Sequence, residues 1–150
     1  MRTRAVGAAG AAVVLAASVW YVQAPPRTEG DYRERAALAA ETLRSQVQTG
    51  RLWVRELEEG RVTRQAAAVA FREAEGDAES AASEFAAFDP RGDTRETRSR
   101  VMELAARVTD ALGQLRIASQ DGRWDALPSL AAPLPGLARR LEATARRAEP

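Results

Sequence analysis

The chain predicts an all-α protein: an N-terminal transmembrane helix, then an antiparallel up-and-down bundle of about four helices, the last broken by prolines. Three observations predict it. An uncharged apolar run, Ala5–Val22, follows Arg2 and Arg4. Beyond Pro25-Pro26, apolar residues recur at helical spacing with polar residues between them. No stretch alternates in the period-two, β-branched manner of a half-buried strand.

Basic residues ahead of an apolar segment hold that flank in the cytoplasm. The 18 residues of Ala5–Val22 span about 27 Å as a helix, close to the roughly 30 Å hydrocarbon core. Trp20 and Tyr21 stand at the exit, where amphipathic rings favour the headgroup region. The reading is therefore a cytoplasmic stub at 1–4, a signal anchor at 5–23 whose partner is the lipid bilayer, a linker at 24–30, and an extracytoplasmic bundle at 31–150. Val22-Gln23-Ala24 also fits the small-residue pattern of a leader cleavage site, and a cut there would leave a secreted, soluble bundle. Pro25 opposes that cut, because its ring fixes φ and removes the N–H. The chain has no cysteine, which excludes a lipidated cysteine anchor.

Within the bundle, Asp31 with Glu34 resembles a capping box. Ala36, Ala39, Leu43, Val47, Val54 and Leu57 continue a helical stripe that includes Gly50, so one helix is expected over 31–59, with Gly50 a possible break. Gly60 ends it and Thr63 caps the second helix, which follows Ala67, Phe71, Ala74, Ala78, Ala81, Phe85 and Phe88. Asp89-Pro90-Arg91-Gly92 stops that helix. A third starts near Asp93, runs along Val101, Leu104, Val108, Leu112, Leu115 and Ser119, and closes at Asp121-Gly122. Pro128, Pro133 and Pro135 divide the last segment into a short helix near 124–132 and a final one from 135 to 147, since proline is tolerated in a first helical turn. Folding at residue 61 sets Trp53 opposite Phe71, Leu43 and Val47 opposite small residues 74–81, and Leu38 opposite Phe85. Folding at 121 sets Leu104 and Val108 beside 135–139. Short connections of this kind make neighbours antiparallel.

Composition bounds function more by what it excludes. There are 33 alanines, and all 22 basic residues are arginine, which points to a GC-rich bacterial genome and not to an activity. The net charge of +1 lacks the one-signed field of a nucleic-acid binder, so no nucleic-acid partner is expected. Residues 61–89 carry 3 arginines and 6 acids, while 123–150 carry 5 arginines and 3 acids, so these regions can complement each other inside a bundle. With no histidine, the chain lacks the commonest metal ligand and the side chain best suited to acid–base work near neutral pH. No phosphate loop, serine elbow or metal spacing is present. Neither enzyme activity nor a cofactor is expected.

The candidate ligand or partner surface comprises Trp53, Phe71, Trp124, Arg139 and Arg140. At helical spacing the aromatics also suit a core or a bundle end. The arginines near the end of the chain suit an acidic partner, lipid headgroups or the final helix dipole. Glu56, Glu58 and Glu59 lie among Arg51, Arg55 and Arg61 and lack the alternating ligands of a calcium loop. Arg91-Gly92-Asp93 reads as a turn before a helix. The expected function is a non-enzymatic envelope interaction or scaffolding module with a protein partner. The alternative is a sensor-like bundle with a ligand pocket near Trp53, Phe71 and the proline-broken helix.

Overall fold

The structure, a computed structural model, describes residues 28–148. The stub, the anchor at 5–23 and the linker up to Arg27 lie outside the described residues. Among those described, no helix is long and apolar enough to cross a membrane. The chain enters at Thr28, whose hydroxyl accepts from the Asp31 N–H at 3.1 Å while the Asp31 carboxylate accepts from the Thr28 N–H at 3.0 Å. This reciprocal box starts helix α1, Glu29–Glu58. The expected cap at Asp31 is thus corrected by one helical turn. Asp31 answers the cap from the third helical position, and the linker ends before residue 30.

Gly50 does not interrupt α1. It is buried on the stripe that carries Leu43, Val47 and Val54. A Cβ at this position would stand 2.8 Å from a Leu112 methyl, 3.5 Å from Leu115 and 3.6 Å from Leu134. The roughly 1 kcal/mol that glycine costs a helix interior is offset by packing three leucines onto bare backbone. At the C-terminus, Gly60 N–H donates to the Leu57 carbonyl at 3.1 Å and Arg61 N–H to Glu56 at 2.9 Å. That is the Schellman arrangement, and it uses the positive φ of Gly60, 68°.

Helix α2, Arg64–Ala86, is capped by Thr63, whose hydroxyl accepts from Ala66 N–H at 3.2 Å. Helix α3 covers Arg95–Gln120, and its expected cap at Asp93 is corrected. Buried Thr94 takes the cap position and turns its hydroxyl back, accepting from Arg91 N–H at 2.8 Å and donating to the Arg91 carbonyl at 2.6 Å. Arg91-Gly92-Asp93 is therefore a turn tied from below by a threonine. A second Schellman closure at Gly122 ends α3. A 3-10 turn, Trp124–Ala126, leads to α4, Leu127–Ala131, and then to α5, Leu134–Ala148. Pro128 and Pro135 each fall in a first turn, where no intrahelical N–H is needed.

Four long helices form the bundle, and α4 bends the start of the fourth limb. α1 packs on α2, on α5 and, across the bundle, on α3; α2 also packs on α3, and α3 on α5. α2 and α5 share no substantial contact, so they occupy opposite corners. Tyr32, Ala36, Phe85, Val101 and Ala148 gather in one cluster. The starts of α1 and α3 therefore meet the ends of α2 and α5, and chain neighbours run antiparallel.

Of the predicted pairings, those of Leu43, Val47, Leu104 and Val108 fall within one core cluster, whereas Leu38 is 47% exposed and Trp53 half-buried. Leu43 and Val47 share a cluster with Ala74 and Ala78, and Leu104 and Val108 with Leu137 and Ala138. Large side chains from α1 and α3 meet a face of α2 that buries five alanines and two phenylalanines. The expected complementarity between the acidic second helix and the basic last one does not operate inside the bundle, because those helices stand at the far corners.

Two glycines in helix interiors separate packing from propensity. Gly76 has open space at its Cβ position, so Gly76→Ala is expected to raise the unfolding free energy by about 0.5–1 kcal/mol. Gly50→Val is expected to lower it by roughly 2 kcal/mol, through overpacking against Leu112. Urea unfolding of both variants measures the two signs.

Candidate functional site

The residues singled out from the sequence do not converge on one cavity. Phe71 is fully buried in the main core, and Trp53 and Trp124 are half-buried against the same cluster. The Arg64 guanidinium lies over the Trp124 ring at 5.5 Å. These aromatics lie towards the end of the bundle remote from Thr28. Arg139 and Arg140 are exposed in the middle of α5, away from the last turn, where Arg146 and Arg147 face the helix dipole.

Two of the three glutamates after Val54, Glu56 and Glu59, are occupied internally. Arg61 grips the Glu56 carboxylate with Nε at 2.5 Å and Nη2 at 2.6 Å and also pairs with Glu59. The Arg61 hydrogen bond holds the Glu56 carboxyl below the usual carboxylate range. Among the described residues no three acidic side chains converge as metal ligands.

Two open grooves run along the sides of the bundle. One, of about 360 Å³, lies between α1 and the second half of α2. Its apolar floor includes Ala39, Ala81 and Phe85, with Leu38 beside them 47% exposed. Asp77, Ser80 and Glu84 form the α2 rim. Arg35 approaches from α1, its guanidinium 5.2 Å from the Phe88 ring centre. The other groove, of about 480 Å³, lies between α3 and the α4–α5 limb. Leu130, Pro133 and Leu137 give it apolar surface, and Arg107, Asp110 and Arg140 give it charge. Arg107 already pairs with Glu103 at 2.8 Å. Arg140 thus joins a groove, whereas Trp53, Phe71 and Trp124 line neither.

The exposed charge is segregated by helix. α2 carries Arg64 and Arg72 against Glu73, Glu75, Asp77, Glu79 and Glu84, a net −3. α5 carries Arg139, Arg140, Arg146 and Arg147 against Glu142, a net +3. Of these charges only Glu75 is spent on another helix among the described residues, in a half-buried pair with Arg116 beside Gly113. Sequence reasoning detected the imbalance but missed the α1–α2 groove, because setting Leu38 opposite Phe85 treats it as a packed residue and not as a 47% exposed one. The heptad spacing of Asp77 with Glu84 was a usable signal.

The end at which the chain enters carries a polar arrangement of its own. Arg98, from the first turn of α3, donates to the Ala86 carbonyl at 3.0 Å and also to the Phe88 carbonyl. It thereby satisfies carbonyls that the end of α2 leaves open. The Tyr32 ring packs on Phe85 with centroids 5.5 Å apart, and its buried hydroxyl has no hydrogen-bond partner among the described residues. Burial pushes the Tyr32 phenol above its ordinary pKa, Arg98 nearby partly countering it and Asp89 adding to it.

The chain matches no protein-family model, and comparison with curated proteins and with solved structures likewise finds no match. Any functional reading therefore stands on the residues themselves.

Arg98→Leu is expected to cost about 2 kcal/mol, since charge-assisted bonds to partly buried carbonyls are lost. Tyr32→Phe is expected to be neutral or to stabilise by up to about 1 kcal/mol, because it removes an unpaired buried hydroxyl. A phenol with a raised folded pKa keeps its proton after the unfolded chain has released it, so stability falls as pH rises past the ordinary tyrosine value near 10. Thermal melts from pH 8 to 11 should show a smaller alkaline loss in Tyr32→Phe than in the parent chain.

Proposed function

We propose that this chain is a non-enzymatic, membrane-anchored helical bundle acting as an interaction or scaffolding module in a bacterial envelope. One observation carries the proposal. Arg2, Arg4 and the apolar run Ala5–Val22 lead through Pro25-Pro26 to a bundle that begins, with a full capping box, at Thr28. The linker is too short to let the bundle wander far from the bilayer. The start of α1 and the ends of α2 and α5 then form the membrane-facing end, and Arg2 and Arg4 support a bundle outside the cytoplasm.

The surface suits contact better than chemistry. The chain has no histidine or cysteine, Glu56 and Glu59 are tied up in ion pairs with Arg61, and its unpaired charges sit on helix faces. A second reading, ligand binding, is favoured by the groove between α3 and the α4–α5 limb, whose volume of about 480 Å³ falls in the range of small-molecule pockets. Thermal shift against a metabolite and lipid panel separates the two: stabilisation by one compound class supports the ligand reading.

The anchor is tested by producing the full chain in bacteria, measuring its intact mass and floating it with membranes. The expected result is an uncleaved chain that floats and leaves the membrane only in detergent, while deletion of residues 5–23 releases a folded soluble bundle. A mass beginning at Pro25, with the protein in the soluble fraction, would replace the anchor with a cleaved leader.

A further inference from the structure

Asp77 and Glu84 on α2 are exposed and seven residues apart, as are Arg140 and Arg147 on α5. None of the four has an ion-pair partner among the described residues. A spacing of seven keeps each pair on one helix face. The heights match as well. Phe85 and Ala148 share the cluster at the entry end, so Glu84 and Arg147 each stand one residue from that level. Asp77 and Arg140 each stand eight residues from it, about 12 Å along the axis.

α2 and α5 run in the same direction, both ending at the entry end, and they occupy opposite corners of the bundle. The two charged faces therefore cannot meet within one chain. They meet when a second copy stands alongside in the same orientation.

We infer that copies of this chain associate side by side, with α5 of one copy seated along the α1–α2 groove of the next. In that arrangement Arg140 stands on the level of Asp77 and Arg147 on that of Glu84 to within about two helical turns, because Phe85 and Ala148 share the entry-end cluster. Gly136 and Ala143, half-buried one turn before Arg140 and Arg147 on α5, are small, which leaves room for Leu38, 47% exposed at the groove. Arg35 in the groove has its guanidinium 5.2 Å from the Phe88 ring centre. The contact is heterologous, joining two different faces, so each added copy offers a fresh groove and assembly proceeds to a row or a ring. This rests on the tether reading for the shared orientation, because anchored copies already stand parallel in the membrane plane.

Absence of native cysteine makes the test clean. Ser80 lines the groove and Ala143 lies on α5, each five residues from the shared level. The full chain carrying Ser80→Cys and Ala143→Cys, reconstituted in phosphatidylcholine vesicles and mildly oxidised, should give a ladder of dimers, trimers and larger species. Either single cysteine alone should stop at traces of dimer. Reversal by Asp77→Arg with Glu84→Arg, or by Arg140→Glu with Arg147→Glu, should lower the ladder about tenfold by setting like charges face to face. Mixing the two reversed variants should restore it, since each then offers the other an opposite charge. Circular dichroism confirms that the exposed substitutions leave the bundle folded.

Flotation of the same vesicles reads the tether separately. Protein that floats but gives no ladder, a ladder indifferent to charge reversal, or equal crosslinking by one cysteine alone would each overturn the lateral contact. Protein that does not float would overturn the tether and, with it, the shared orientation.

Discussion

The fold depends on the close approach of α1 to its neighbours at Gly50. The missing side chain lets Leu112 and Leu115 of α3 and Leu134 of α5 press onto the α1 backbone. Three of the four long helices thus meet at one residue, and α1, buried along Ala36, Ala40, Leu43, Val47 and Val54, becomes the element on which the others pack. Alanine extends the same device along α2, where Ala67, Ala74 and Ala78 receive the larger side chains of α1 and α3. Short side chains give up transfer energy per residue but let helices approach closely, and dispersion grows with that contact.

The cross-section follows from this constraint. With α1 and α3 drawn together across the bundle, α2 and α5 are pushed to the far corners. Their charges, −3 and +3, are then separated by the width of the molecule. A bundle with equal diagonals would let the acidic and basic limbs share their fields; this one presents them on opposite sides. The packing of one buried glycine is in this way linked to the charge pattern on the surface, and the surface to the kind of partner it can hold.

Much of the architecture was legible in the sequence because it depends on local rules. The apolar period marked every long helix, and the closures at Gly60 and Gly122 were readable from glycine after the last periodic residue. The misplaced starts have one cause: a threonine competes for the cap, Thr28 three residues before Asp31 and Thr94 directly after Asp93. The choice is made by three-residue geometry that spacing alone does not settle. The proline-broken limb was readable because a ring fixes φ wherever it sits.

The site was less legible. Periodicity tells which face of a helix is apolar but not which helix lies across it, so the α2–α5 separation could not be read from the chain. Trp53, Phe71 and Trp124 followed the correct rule that aromatics gather where helices meet, yet they close the far end and open no pocket. Leu38 shows the converse: it lies off the Ala36–Leu57 stripe and 47% exposed, yet it borders the α1–α2 groove beside Phe85. The diagonal asymmetry is therefore the claim to measure. The most direct measurement is a pair of spin-label distances in the cysteine-free chain, one between Gln48 on α1 and Asp110 on α3, the other between Asp77 on α2 and Arg140 on α5. The account predicts a distinctly longer α2–α5 distance than α1–α3 distance; equal distances, or a shorter α2–α5 distance, would contradict it.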